Sequence, residues 1–262
     1  MSKPLLQVRD LSVVYGRRNA ATHALSTVDL DVAVGGRLAV IGESGSGKTT
    51  LALALARLLP PEAVVEGSIA WPGLDRSPVG GRDIGYVFQD PGSSLNPVLT
   101  IGEQVSEGAR RHLGLSRGAA KKRALELLER VRIPDPEAAL RAYPHQFSGG
   151  QRQRIAIAAA IAANPLVLIA DEPTSALDMV VQAGIVRLLD RLVRDEGMSL
   201  ILITHDIALA SGLADAIAVF RDGRLVETGP TPQLLSRPAN AYTRMLINSH
   251  IDFTSPRLIE AG

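Results

Sequence analysis

The sequence contains no cysteine. That absence removes disulfides, thiolate metal sites and cysteine nucleophiles together, and it suits a reducing cytoplasm. Long apolar stretches are missing too. The longest uninterrupted run, Ile155 to Ala163, is rich in Ala and far short of the roughly 20 residues that a bilayer-spanning helix needs. Nor does one sign of charge dominate: 28 Lys and Arg stand against 27 Asp and Glu, a formal net charge of +1. The two signs are interspersed, whereas nucleic acid binders cluster basic residues on one face, so no nucleic acid partner is expected. No N-terminal signal is visible ahead of the first strand-like segment, so no secretory leader is expected, and neither an internal repeat nor a low-complexity linker is found. The expectation is a soluble protein that can sit on a membrane protein. What is there is a chain of 262 residues, 46% hydrophobic, enough for one large domain or two small ones with a full core.

Local patterns give the element order. Leu5 to Tyr15 reads as a strand with imperfect alternation, Leu38 to Ile41 as a buried strand, and Thr49 to Leu59 as a helix ended by Pro60-Pro61. Further strands are expected at Ile84 to Phe88, Leu166 to Ala170 and Leu200 to Thr204. Helices are expected at Ile101 to Leu113, Ala119 to Val131, Gln151 to Ala163 and Val180 to Arg194. Asp222-Gly223 between apolar flanks predicts a hairpin over Ala216 to Glu227. From Leu234 onward a helical tail is expected. Strands alternating with helices at both ends predict an α/β fold with a parallel sheet, and the mostly helical block from about residue 100 predicts an inserted subdomain.

Directly after the apolar strand stands Gly42-Glu43-Ser44-Gly45-Ser46-Gly47-Lys48-Thr49-Thr50. It fits the P-loop pattern in its required strand–loop–helix setting. Backbone N–H groups that turn inward around a polyanion leave no room for side chains, which accounts for the glycines. The following helix adds the positive end of its dipole. Lys48 supplies a mobile charge for the β- and γ-phosphates, and Thr49 a hydroxyl for Mg²⁺. A turn that merely reversed the chain would need neither. A P-loop also needs an acid on a neighbouring strand. Leu166 to Ala170 leads into Asp171 and Glu172: Asp171 is the candidate for Mg²⁺, and Glu172 a candidate general base for an attacking water.

Phe147-Ser148-Gly149-Gly150-Gln151 is a second glycine-rich turn feeding a helix N-terminus, and so a second anion site by the same physics. With these motifs the sequence resembles the nucleotide-binding subunits of ABC transporters, from Tyr15 to about Gly229. FSGGQ resembles that family's signature, with Phe147 where Leu is commoner. The resemblance implies a P-loop NTPase cassette over 1–235: a RecA-like core, an N-terminal antiparallel β region and an inserted helical subdomain at about 100–163. A short helical tail, 236–262, follows. It implies that Tyr15 stacks on adenine, although a strand-end core tyrosine would look the same in sequence. It further implies that Gln89 touches Mg²⁺ and the attacking water, and that His205 contacts the γ-phosphate. Ser175-Ala176-Leu177-Asp178 resembles the loop that communicates between two cassettes, and Asp178 can equally cap the helix that follows. In the family Ser148 to Gln151 serve the ATP of the opposite cassette, which accounts for two anion sites in one chain.

Gln89-Asp90-Pro91-Gly92-Ser93-Ser94-Leu95-Asn96-Pro97 and Tyr143 to Gly150 are similar to the oligopeptide, dipeptide and nickel importer branch. That similarity implies ATP and Mg²⁺ as cofactors and a peripheral place on the cytoplasmic face of the cell membrane. The implied partners are a second ABC ATPase subunit, identical or different, two membrane permease subunits and, indirectly, an extracytoplasmic solute-binding protein. The cargo would be peptides, nickel or metal chelates. Other readings are an accessory ATPase of a soluble complex, like that of phosphonate degradation, and a non-transport ABC ATPase acting on ribosomes or DNA. The latter usually carries two cassettes or a long coiled coil, and neither is present.

Overall fold

The structure, a computed structural model, describes residues 4–16, 21–175 and 177–250. In chain order these form β1 (Pro4–Tyr15), β2 (Thr22–Ala33), β3 (Arg37–Ile41), α1 (Lys48–Ala56), β4 (Val64–Ala70), β5 (Ile84–Val87) and the single turn α2 (Pro91–Ser94). Next come α3 (Ile101–Leu113), α4 (Arg117–Arg130), the turn α5 (Pro136–Ala139), α6 (Gly149–Ala160), β6 (Val167–Asp171) and α7 (Met179–Glu196). The chain closes with β7 (Ser199–Thr204), α8 (Ile207–Leu213), β8 (Ala216–Arg221), β9 (Arg224–Pro230), α9 (Thr231–Ser236) and α10 (Ala241–His250). Two compact units result, 1–78 with 199–262, and 79–198.

In the first unit β1 is the middle strand of an antiparallel three-stranded sheet, between β2 and β4. Four further strands lie in the order β7-β3-β8-β9. β3 runs parallel to both neighbours, with Ile41 opposite Thr204 of β7 and Val219 of β8. All six residues of β7 are buried, the mark of a strand covered on both faces. β8 and β9 form the hairpin expected at Asp222-Gly223, whose φ angles of 48° and 75° suit a turn that needs two left-handed residues. Ala39 and Ile41 of β3 and Ile217 and Val219 of β8 share a buried cluster with Ile207 of α8 and with Tyr242, Leu246 and Ile247 of α10.

In the second unit β5 and β6 pair in parallel, Ile84 opposite Val167 through Val87 opposite Ala170. The helices start and stop where local chemistry dictates. Thr100 and Glu103 close a capping box at the head of α3, and Gly114 ends that helix in the left-handed region. Asp178 caps α7 through the N–H groups of Val180 and Val181, and Gly197 ends it.

Three features depart from the patterns read in the sequence. β2, β4 and α8, with the short turns α2 and α5, were not expected as separate elements. α1 stops at Ala56 rather than Leu59, because Arg57 adopts a left-handed φ of 60° and its N–H turns back to Ala54 and Leu53. The tail is not one helix: α9 and α10 are separated at Arg237 to Asn240 around Pro238, which has no N–H to extend a helix. The expected tail beyond residue 250 lies outside the described residues.

Candidate nucleotide site

On the first unit the site begins where β3 ends. Gly42 has φ 154°, and a Cβ there would stand 2.2 Å from the Phe220 carbonyl oxygen and 2.8 Å from Ser46 Oγ. At Gly47, with φ 97°, a Cβ would meet the Ala24 carbonyl oxygen at 2.5 Å. Only glycine fits at either end of the loop. Its outer side is fastened by distant chain segments. Gly223 N–H donates to the Ser46 carbonyl at 3.2 Å, and Ser26 N–H to the Gly223 carbonyl at 2.8 Å. Glu43 N–H donates to Tyr242 Oη at 3.3 Å.

Lys48 is buried, 5% exposed, yet its charge is well provided for. Nζ donates to the carbonyls of Gly42 at 2.9 Å and Glu43 at 2.7 Å, and to Ser46 Oγ at 3.5 Å. No side-chain cap closes the N-terminus of α1, whereas α3, α4, α6 and α7 each have one. The positive end of the α1 dipole is thus covered by no side-chain cap, the setting in which helix N-termini attract anions. Ser44, Gly45 and Thr49 are exposed, and Thr50 receives the Tyr15 hydroxyl at 3.5 Å. Tyr15 therefore meets the first turn of α1. His205 directly follows Thr204, the residue opposite Ile41, so it leaves β7 at the same edge at which the loop leaves β3. Its side chain is exposed. The first unit thus gathers Tyr15, the whole loop from Gly42 to Thr50, and His205.

On the second unit Asp171 ends β6, 2% exposed. The Tyr86 hydroxyl donates to Asp171 Oδ2 at 3.0 Å. Burial, then the charge of Asp171 and this hydrogen bond, hold the Tyr86 hydroxyl well above its ordinary 10.0, so it remains a donor. Glu172 has φ 43°, a left-handed conformation that non-glycine residues reach at a cost of about 1–3 kcal/mol. Its carbonyl accepts from Ser175 N–H at 3.2 Å and Ser175 Oγ at 3.1 Å. Its carboxylate Oε2 accepts from Gln89 Nε2 at 3.1 Å. The register explains that pair: Val87 lies opposite Ala170, and Gln89 and Glu172 each stand two residues further on.

Ser148 heads α6 in a reciprocal capping box. Gln151 N–H donates to Ser148 Oγ at 3.3 Å, and Ser148 N–H to Gln151 Oε1 at 2.9 Å. The Gln151 side chain thus turns back on its own helix. Gly149 and Gly150 open that helix, and a Cβ on Gly150 would lie 2.5 Å from Val181 Cγ1 of α7. In the expected 175–178 loop, Ala176 lies outside the described residues, and Asp178 Oδ1 accepts from Val180 and Val181 N–H at 3.1 and 3.0 Å. Two residues went unread in the sequence: Tyr86, beside Asp171 on the second unit, and Tyr242, beside the loop on the first. A polar-tipped ring at the end of an apolar strand was the available signal for the first, and nothing local marked the second.

A glycine-cradled lysine loop that opens an uncapped helix, on strands of this order, defines a P-loop nucleoside-triphosphate-binding fold. Comparison with known proteins makes the class specific: the ABC transporter family model matches residues 25–175. The chain belongs to the ABC transporter family, as one of its ATP-binding, ATP-hydrolysing cassettes. It is 43% identical over 255 residues to the oligopeptide transport ATP-binding protein OppD of Bacillus subtilis, covering 94% of this chain and 71% of that protein. It is 43% identical over 258 residues to the dipeptide transport ATP-binding protein DppD of Haemophilus influenzae, covering 95% and 78%. Among solved structures, the ATP-binding cassette MJ0796, dimeric in a post-hydrolysis state with ADP and Pi, superposes with a TM-score of 0.75 at 30% identity. That match covers 86% of this chain and 98% of the other. No helix among the described residues is long and apolar enough to cross a membrane.

Proposed function

We propose that this ATPase energises the uptake of peptides through a membrane importer. The observation that carries the reading is its similarity, over more than nine-tenths of its length, to ATP-binding proteins named for oligopeptide and dipeptide transport. Nickel or metal chelates are the alternative cargo within the same branch. The partners are two permease subunits and a second cassette, with an extracytoplasmic binding protein acting through the permeases, and the cassettes sit on the cytoplasmic face.

Each candidate residue then takes a chemical role. Lys48 and the N–H groups at the head of α1 hold the β- and γ-phosphates. The ring of Tyr15 stacks on adenine. Glu172 accepts the proton of the attacking water as that oxygen bonds to the γ-phosphorus and ADP leaves. Gln89, already hydrogen-bonded to Glu172, orients that carboxylate and the water, and His205 contacts the γ-phosphate. Thr49 and Asp171 are oxygen donors suited to a hard cation. When bound, magnesium neutralises charge on the β- and γ-oxygens. Ser148, Gly149, Gly150 and Gln151 meet the ATP of the opposite cassette, so closure of the pair depends on ATP and hydrolysis parts them.

Purification through a tag on this chain, followed by native mass spectrometry and ATPase assays with and without peptide-loaded binding protein, tests the reading. Two permeases, two cassettes and peptide-stimulated turnover are expected. Association with soluble enzymes only, or stimulation by a nickel chelate and not by peptide, would overturn the peptide-importer assignment.

A further inference from the structure

The Gly42–Glu43 peptide unit is held from both sides. Its carbonyl accepts from Lys48 Nζ at 2.9 Å, and its N–H donates to Tyr242 Oη at 3.3 Å. A planar trans peptide points these two groups in opposite directions, so fixing one fixes the other. We infer that Tyr242, on the C-terminal helix α10, is a positioning residue for Lys48: its hydroxyl locks the Gly42–Glu43 peptide in the orientation that presents the carbonyl to the lysine.

The lock has something to resist. Gly42 has no side chain and a φ of 154°, so rotation of the adjoining peptide meets little local hindrance. A flipped unit would turn its carbonyl away from Nζ. It would also aim an N–H at a buried ammonium, which can only donate. The hydroxyl that prevents this is itself held. Tyr242 N–H donates to Asn240 Oδ1 at 2.8 Å. The Glu227 carboxylate of β9 accepts from Ala239 N–H at 2.8 Å and Asn240 N–H at 3.0 Å, fixing the start of α10. The Arg221 guanidinium lies 4.8 Å from the Tyr242 ring centroid, and Leu246 and Ile247 anchor the helix in the β3–β8 cluster. Burial, first among several influences, raises the Tyr242 pKa, so the phenol stays neutral at ordinary pH. The inference rests on the loop being the ATP site, and it adds a residue about 200 positions downstream to that site's working parts.

Tyr242→Phe in the full chain is the direct test, because it keeps the ring, its packing and its cation contact while deleting one oxygen. The expected result is a 3- to 10-fold rise (about one hydrogen bond's worth) in the dissociation constants of both ADP and ATP. Faster hydrogen exchange at the Glu43 amide should accompany it, with an unliganded melting temperature lowered by no more than about 4 °C. A lysine-mediated effect also predicts coupling: in a Lys48→Ala background, Tyr242→Phe should change nucleotide affinity no further. Affinity unchanged by Tyr242→Phe, or losses that simply add in the double variant, would overturn the inference. Either result leaves the ATP-site reading standing, whereas failure of the wild-type chain to bind ATP would remove both.

Discussion

The Tyr86 hydroxyl donates to Asp171 Oδ2 at 3.0 Å, from β5 to the acidic end of β6. The bond restrains one oxygen of the buried carboxylate. Outer partners of metal ligands typically carry 10- to 100-fold in affinity. With Asp171 holding Mg²⁺ as proposed, Tyr86→Phe should raise the Mg²⁺ concentration for half-maximal ATPase activity by about 10-fold. A magnesium titration at fixed ATP reads it; an unchanged midpoint would mean that the hydroxyl only fills the core.

The same pair has a pH signature. The folded pKa of Tyr86 lies above its ordinary 10.0, so the stability it contributes is complete below pH 10 and fades as pH rises past the unfolded value. Urea denaturation of wild type and Tyr86→Phe should show a stability gap at pH 8 that narrows above about pH 10. A gap that stays constant would break the link to ionisation.

Lys48→Ala deletes the ammonium that three loop oxygens now hold. Hydrogen bonds to a charged group are worth about 1.5–3 kcal/mol each, so the loss of phosphate contacts should weaken ATP binding roughly 100-fold. Calorimetric titration of the variant checks this, and near-normal binding would displace the loop from the nucleotide site.

Glu172→Gln preserves shape and the reach to Gln89 but cannot accept a proton. ATP should still bind while hydrolysis falls by about 10²–10⁴-fold, and an ATP-dependent dimer should accumulate on size exclusion. Turnover at the normal rate would show that another group is the base.

Ser148→Arg puts bulk at the head of α6 and breaks the capping box with Gln151, at a cost of about 1 kcal/mol to the helix. The cap loss can be isolated with Ser148→Ala. ATP binding by the monomer should survive both substitutions, while only Ser148→Arg abolishes ATP-driven pairing. Equal loss of monomer binding would place Ser148 at its own chain's nucleotide.

Much of this was legible in the sequence where a local signal was unbroken. The loop from Gly42 to Thr50, the buried strands β3, β6 and β7, and the Asp222-Gly223 hairpin follow from composition over a few residues. β2 hides because Thr27, at φ 51°, interrupts the alternation: Leu25 and Val28 are buried three apart, and Val28, Leu30 and Val32 two apart. Asp10 does the same to β1, between Val8 and Leu11. In β4 the polar run Glu66-Gly67-Ser68 separates Val64 and Val65 from Ile69, and the strand is almost wholly exposed, so its apolar residues form no regular alternation. Pairings such as Gln89 with Glu172, or Tyr86 with Asp171, depend on the register of β5 against β6, and no residue in either strand states that register by itself.

The braces of the phosphate loop arrive late in the chain. Phe220, Gly223 and Tyr242, which press on Gly42, hold Ser46 and hold Glu43, leave the ribosome roughly 180 to 200 residues after the loop does, an interval of about 10 to 40 s at ordinary elongation rates. During that time the nascent loop has its sequence but not its scaffold. A chain cut short by premature termination before β8 would therefore carry an intact GESGSGKTT without the contacts from Phe220, Gly223 and Tyr242 that hold it. The fold in this way makes the scaffold of the loop wait for completed translation.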